Sequence, residues 1–423
     1  MDTTPFHLIL LALDILLLGG LFLWIRCRRR TGSIHSAVHP YENALYVPSA
    51  VPYRPSFIWD VTGVILFGGF GVVCFAVLSW FISTNYAQTH IYHFNVGQCI
   101  VEGIAMHGTL FFLGTAALLY WNHQRVLALF FGCCTVGLAG VGFDALYWEP
   151  YHLSVEYYEI KTSKIKKPLR IVFVTDIQTD RIGFHEINTV KTIQRLEADM
   201  IIFGGDYIQT FQNTREKHLP EKFRQMLLDH PLKAPLGVYA IAGNVGGNFE
   251  ERDANLFKGT GVEFFQDSTI FEGLGADQNL GPIDLVILRV SDSEGGRGDY
   301  YLTDSGNFTV MAGHYPNYAI DGYKNATSGK SLSGYRNAKR APDLMLAGHT
   351  HGGQIVIPFY GTLAHPQDER LNQVPRFMWS GFFVYPNGGH LVVSRGSGME
   401  RGWAPRVRLF CPPEISVIDI VPE

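Results

Sequence analysis

Residues 343–355 read DLMLAGHTHGGQI: an unbroken apolar run, Leu344 to Ala347, then Gly348 and two histidines one residue apart, His349 and His351. A short apolar run without alternation suits a strand buried on both faces. Polar residues at the end of such a strand fall where layered α/β folds gather side chains into one crevice.

Working outward, the same texture recurs from about residue 151 onward. RIVFVTD (170–176), DMIIFGGD (199–206), GVYAIAGN (237–244), DLVILRV (284–290), FTVMAGH (308–314), HLVVSRG (390–396) and ISVIDI (415–420) are apolar runs, most of them ending in a small or polar residue. Between the first two, Ile187, Val190, Ile193 and Leu196 recur at helical spacing, and EKFRQMLLDH (221–230) is a second helix-like piece. The pattern is a layered α/β domain with helices packed over a central sheet. A lone Asp or Asn after a strand is usually a turn or a helix cap. Six residues so placed, Asp176, Asp206, Asn244, His314, His349 and His351, instead form a constellation. Carboxylate, amide and imidazole donors together suit divalent ions such as Mn, Fe or Zn.

The stretches TDIQ, GGDY, AGNV, AGHY and AGHTHGGQI resemble, in order, the motifs of the calcineurin-like metallophosphoesterase superfamily. The ending APRVRLFCPPEISVIDI is similar to its membrane-anchored bacterial branch, and the resemblance covers about residues 150–423. It implies a layered β-sandwich flanked by helices and two divalent metal ions sharing a bridging aspartate and a bridging hydroxide. Transferred by motif, Asp206 is the bridge, Asp176, Gln178 and His351 complete one metal site, and Asn244, His314 and His349 the other. Asp206 and His314 are the catalytic candidates, acting through the metals, with Mn as the first expectation and Fe or Zn next.

Two positions depart from that pattern. Gln178 replaces a family histidine; its amide oxygen can ligate but is a harder, weaker donor, which moves the preference from Zn toward Mn, Mg or Ca. Asp180 and His185 lie nearby, in a segment that reads as the start of the following helix. Val245 replaces the histidine that in the family contacts the phosphate and protonates the leaving group. Losing a general acid costs about 10²–10⁴ in rate for a basic leaving group, so the expected substrate is a diphosphate or activated diester.

The first 148 residues are different. Four apolar stretches, starting at Phe6, Phe57, Cys99 and Val126, each approach or exceed the roughly 20 residues a helix needs to cross a bilayer. They predict a four-helix transmembrane region before the phosphoesterase domain (149–423). RCRRR (26–30) directly follows the first stretch, which by the positive-inside rule places the catalytic half on the periplasmic or extracellular side. Asp14, Asp60, Glu102, His107 and Asp144 lie within the apolar runs, where helix–helix hydrogen bonding or interfacial placement is the expected role. Net charge −4 and a pI near 6.5 exclude the basic stripe of a nucleic-acid binder. Only Cys411 lies in the second half, so no disulfide framework exists there.

The expected function is a membrane-anchored, metal-dependent phosphoesterase acting on a phosphorylated small molecule or lipid. The alternative is a non-catalytic metal- or ligand-binding membrane protein built on a decayed site. A basic segment, 321–341, is a candidate substrate clamp or a solvated insertion.

Overall fold

The computed structural model describes residues 4–34, 57–86, 93–209, 218–245, 249–276, 280–294, 305–319, 342–363, 374–385, 388–400 and 404–423. The basic segment 321–341 lies outside the described residues, as do the side chains of Arg26 to Arg30 and of Asp60. The chain divides into two compact units, Met1–Ile91 with Gln98–Asp144, and Tyr92–Gly97 with Ala145–Glu423.

The first unit is helical: α1 (Thr4–Ile34), α2 (Phe57–Tyr86), α3 (His93–Gly103), α4 (Thr109–Trp121) and α5 (Arg125–Phe143), with a π-helical turn at Ile104–Gly108 joining α3 to α4. Its helices are apolar on their outward faces too; Leu16, Val126 and Leu129 are all exposed. A helix apolar all round has no aqueous face to present. Among the described residues, Phe6–Leu23, Val96–Trp121 and Arg125–Tyr151 are long and apolar enough to cross a membrane, and α2 is apolar over Leu66–Ile82. Glycine lets the helices approach closely: a Cβ on Gly71 would meet the Phe111 ring, and one on Gly142 would lie 2.7 Å from Ala105 Cβ.

The second unit is built on two six-stranded sheets. The first has the order β1 (Ser154–Thr162), β14 (Glu414–Pro422), β2 (Leu169–Val174), β3 (Met200–Phe203), β4 (Val238–Ile241), β5 (Glu263–Phe265). The second has the order β12 (Gly381–Val384), β13 (His390–Val393), β9 (Leu344–Ala347), β8 (Phe308–Ala312), β7 (Ile283–Ile287), β6 (Thr269–Leu274). A short hairpin, β10 (Val356–Ile357) and β11 (Gly361–Thr362), stands apart.

Strand periodicity explains the layering. Ile171 and Phe173 of β2 pack between the sheets against Leu285, Val310 and Leu346, while Val172 and Val174 face the other way. There they meet Val190 and Ile193 of α6 (Phe184–Arg195), Phe223 and Leu227 of α7 (Leu219–Asp229), and Phe257 of α8 (Phe249–Phe257). Both faces of the strand are covered, which is why its sequence shows no alternation. β2, β3 and β4 run parallel, as do β7, β8, β9 and β13. Parallel strands end at the same edge, so the residues after β2, β3, β4, β8 and β9 are delivered to one place.

Candidate metal centre

Asp206, after β3, is the hub. Its Oδ1 accepts the backbone N–H groups of Asn244 (2.6 Å) and Val245 (2.9 Å), and its Oδ2 accepts Gln178 Nε2–H (3.0 Å) and lies 3.3 Å from His314 Nε2. Asn244 Oδ1 lies 2.5 Å from His314 Nε2 and 2.9 Å from His349 Nδ1. His314 donates Nδ1–H to the Gly204 carbonyl (2.8 Å), which leaves Nε2 facing inward as the candidate ligand atom. Candidate ligand atoms of Asp206, His314 and His349 all lie within 4.8 Å of one another.

Asp176, after β2, forms the second half. Its Oδ2 accepts Thr175 Oγ1–H (2.8 Å) and the His349 backbone N–H (2.9 Å). Its Oδ1 is buried without a hydrogen-bond partner, 3.6 Å from His351 Nε2. Gln178 Oε1 is likewise buried without one. An unsatisfied buried acceptor carries a desolvation penalty of about 1–3 kcal/mol, which a cation at that point would relieve. Ligand atoms at about 2.0–2.2 Å from one ion are separated by roughly 3–3.6 Å, the separation seen between Asp176 Oδ1 and His351 Nε2. The donor set therefore fits divalent ions.

All seven candidate residues are gathered here. Asp180 and His185 are not: Asp180 pairs with Arg406, and His185 hydrogen-bonds the Ser397 carbonyl at 2.6 Å from within α6. Val245 contributes its backbone N–H to Asp206.

The electrostatics follow from burial and proximity. Burial opposes charge on His314, yet the adjoining Asp206 carboxylate raises its pKa to about 9. Burial likewise opposes Asp206, but His314 and the backbone N–H groups hold its carboxyl well below the ordinary range. Asp176 is pushed up to about 6 by burial, with Asp206 adding to the rise against His314. His351 is lowered to about 3 by burial and by Arg408, so its contact with Asp176 is not an ion pair at neutral pH.

The backbone here is strained. Asp176, Gln178, Asp206, His349 and His351 all have φ between 35° and 69°, the left-handed region that non-glycine residues avoid. Close packing enforces it. A Cβ on Gly348 would strike Thr175 Oγ1 and Asp176 Oδ2, and one on Gly243 would strike Asp206.

A supporting loop was not legible in the sequence. Ser397 and Gly398 donate N–H groups to the carbonyls of Thr175 and Asp176, both at 2.9 Å. That loop is clasped by the fully buried Arg408, which donates to the carbonyls of Arg395, Gly398 and Cys411. Glu149 in turn accepts the N–H groups of Phe410 and Cys411. Beside Asn244 opens a cavity of ≈ 390 Å³ whose lining includes Gln266, Arg289, Ser291 and Tyr315.

A two-sheet α/β sandwich carrying carboxylates, imidazoles and amides at five converging strand ends defines the class: a metal-dependent hydrolase of phosphoric esters. Over residues 169–353 the chain matches the family model of the calcineurin-like phosphoesterases, which implies a dinuclear divalent metal site. It is similar to an uncharacterised metallophosphoesterase of Bacillus subtilis, YkuE, at 28% identity over 312 residues, 71% of this chain and 97% of that protein. An uncharacterised metallophosphoesterase of Aquifex aeolicus is 26% identical over 290 residues, 64% of this chain and 93% of its own. The phosphodiesterase YaeI of Escherichia coli is 34% identical over 79 residues, 19% of this chain and 25% of its own.

Proposed function

We propose that this phosphoesterase is membrane-anchored through the four apolar stretches of residues 1–148. Its catalytic domain, 149–423, lies on the periplasmic or extracellular side and cleaves a phosphate ester or diphosphate whose remainder occupies the cavity beside Asn244. Asp176, Gln178 and His351 would hold one ion and Asn244, His314 and His349 the second, with Asp206 available to both. Manganese suits the mixed oxygen and nitrogen donors better than zinc does. When bound, two such ions supply Lewis acidity and an acidified water nucleophile.

The chain's own residues do the rest. The N–H groups of Asn244 and Val245 fix Asp206 Oδ1, so its second oxygen stays turned toward Gln178 and His314. The Gly204 carbonyl fixes the His314 tautomer. Val245 supplies no proton at the position of the family histidine, which favours a diphosphate or an activated diester. Anchoring raises the local concentration of a lipid-borne phosphate over that of a soluble one.

The observation that carries this reading is the pair of buried, unpartnered oxygens, Asp176 Oδ1 and Gln178 Oε1, beside a convergent set of imidazoles. Metal analysis of the purified chain, with hydrolysis assays on a monoester, a diester and a diphosphate, tests it. Two ions and fastest turnover on the diphosphate or an activated diester are expected. Two ions with no turnover on any would favour a binding protein, and faster cleavage of an alkyl monoester would refute the role given to Val245.

A further inference from the structure

The helical unit contains a second cluster of ionisable side chains, unrelated to the metal centre. On α1 lie His7 and Asp14; on α3 lies Glu102; on the π-helical turn that follows lies His107. They form a line. Asp14 Oδ2 is 2.7 Å from His107 Nδ1, His107 Nε2 is 3.3 Å from His7 Nδ1, and His7 Nε2 is 3.6 Å from Glu102 Oε1. We infer that these four residues form a proton relay between Glu102 and Asp14 within the apolar helices.

Donor bookkeeping supports this. Ionised Asp14 can only accept, so His107 donates its Nδ1–H and keeps a lone pair on Nε2. That lone pair accepts Nδ1–H from His7. His7 Nε2 then faces Glu102 Oε1, an approach of two acceptors unless one proton sits between them. The line thus has a place for one additional proton. A proton accepted from Glu102 at His7 Nε2 releases the His7 Nδ1 proton to His107 Nε2. His107 then passes its Nδ1 proton to Asp14 Oδ2. One proton leaves Glu102, one arrives on Asp14, and both imidazoles have exchanged tautomers.

The surroundings give the line a direction. Side-chain exposure falls from 27% at His7 and 13% at Glu102 to 6% at His107 and 5% at Asp14. The open end is therefore at His7 and Glu102, and the closed end at Asp14. Phe6 packs edge-on against His7 at 5.1 Å, and Phe75 of α2 stacks on His107 at 6.1 Å. Ser79 of α2 packs against the backbone at Gly103, Leu138 of α5 packs at Gly108, and among the described residues the buried Cys99 is a further titratable side chain beside Glu102. Asp14 Oδ1 and Glu102 Oε2 are buried without hydrogen-bond partners, which leaves an open proton acceptor at each terminus. A static helix–helix hydrogen bond needs only Asp14 and His107; it does not account for His7, Glu102 or the open oxygens. Ionisable groups within apolar helices and π-helical turns both concentrate at functional positions.

The test uses the full chain in lipid nanodiscs, with infrared spectroscopy of the carboxyl C=O band and ¹⁵N-imidazole spectra across pH. Asp14→Asn should remove one protonated-carboxyl band. Glu102→Gln and His7→Gln, which leave Asp14 in place, should each move the midpoint of that band by about one pH unit or more, the size that marks interacting sites. An Asp14 band whose midpoint ignores both substitutions would overturn the relay and leave a static hydrogen bond. Should Asp14→Asn fail to fold, His7→Gln at the most exposed position decides the matter alone.

Discussion

Binding of divalent cations to the phosphoesterase centre should release a proton from His314, and the structure sets the size of the effect. Only His314 Nε2 can ligate, because its Nδ1–H is held by the Gly204 carbonyl at 2.8 Å. That same Nε2 carries the proton attracted by Asp206, which gives the imidazolium a pKa of about 9. Proton and cation therefore compete for one lone pair. At pH 7 about 1% of His314 is neutral, so apparent affinity is roughly 100-fold below its value above pH 9, or about 2.7 kcal/mol. The sign is fixed: affinity rises about tenfold per pH unit and levels off near pH 9. Asp176, with a pKa of about 6, adds a second competing proton only below that pH. His351, at about 3, stays neutral and adds none.

Calorimetric titration of the metal-free chain with Mn²⁺, repeated in buffers of different ionisation enthalpy, counts these protons. About one should be released between pH 7 and 8, approaching two below about pH 6, and none well above pH 9. Two ions bound with the same affinity at pH 6.5 and 8.5 would refute the reasoning, since it would mean that no proton occupies the ligating atom.

Stability of the metal-free chain should show an optimum near pH 6. The raised pKa values of His314 and Asp176 give stability that is lost as pH climbs toward 9 and 6 respectively, while the lowered value of His351 gives stability lost as pH falls from about 6.5 toward 3; thermal melts in chelator across pH check it. Gly348→Ala should abolish metal binding, measured by elemental analysis, because the new Cβ strikes Thr175 and Asp176. Arg408→Met should cost about 3 kcal/mol or more in urea unfolding, since it strips a charged donor from several buried carbonyls. Val245→His should raise alkyl monoester turnover by about 10²–10⁴ while leaving diphosphate turnover nearly unchanged, as kcat/KM on the two substrates would show.

The sequence carries the strands of the second unit most plainly where both faces are buried. β2, β3, β4, β8 and β9 read as unbroken apolar runs, and the polar residues after them are those that meet in space. Edge strands such as β1 and β12 carry half-exposed side chains and no such run, which hides them from an apolar-run search. The supporting loop 395–398 was hidden for another reason. Its contacts with Asp176 run through backbone N–H groups, to which side-chain identity gives no clue. Arg408 reads as a surface charge in APRVRLF, and only burial among carbonyls gives it a role. In the first unit, Asp14 and His107 stood out as charges within apolar runs, but their pairing across helices, and the addition of His7, required the structure.

The left-handed backbone at Asp176, Gln178, Asp206, His349 and His351 connects these observations. Each such residue costs on the order of 1–3 kcal/mol, so the five together store several kcal/mol in the centre. Hydrogen bonds offset part of that cost: Asp176 N–H to the Gly205 carbonyl, Gln178 N–H to the Asp206 carbonyl, and Gly398 N–H to the Asp176 carbonyl. The strain also explains why glycines stand beside the ligands, since Gly348 and Gly243 leave no room for a Cβ. Gln178 itself holds φ at 35° in that turn. Under the proposed ligand set, changing the donor from nitrogen to oxygen on a costly backbone would retune the site's preference for a metal. Disuse would instead allow the turn to relax, and with it the positions of Asp176 and Asp206 on either side.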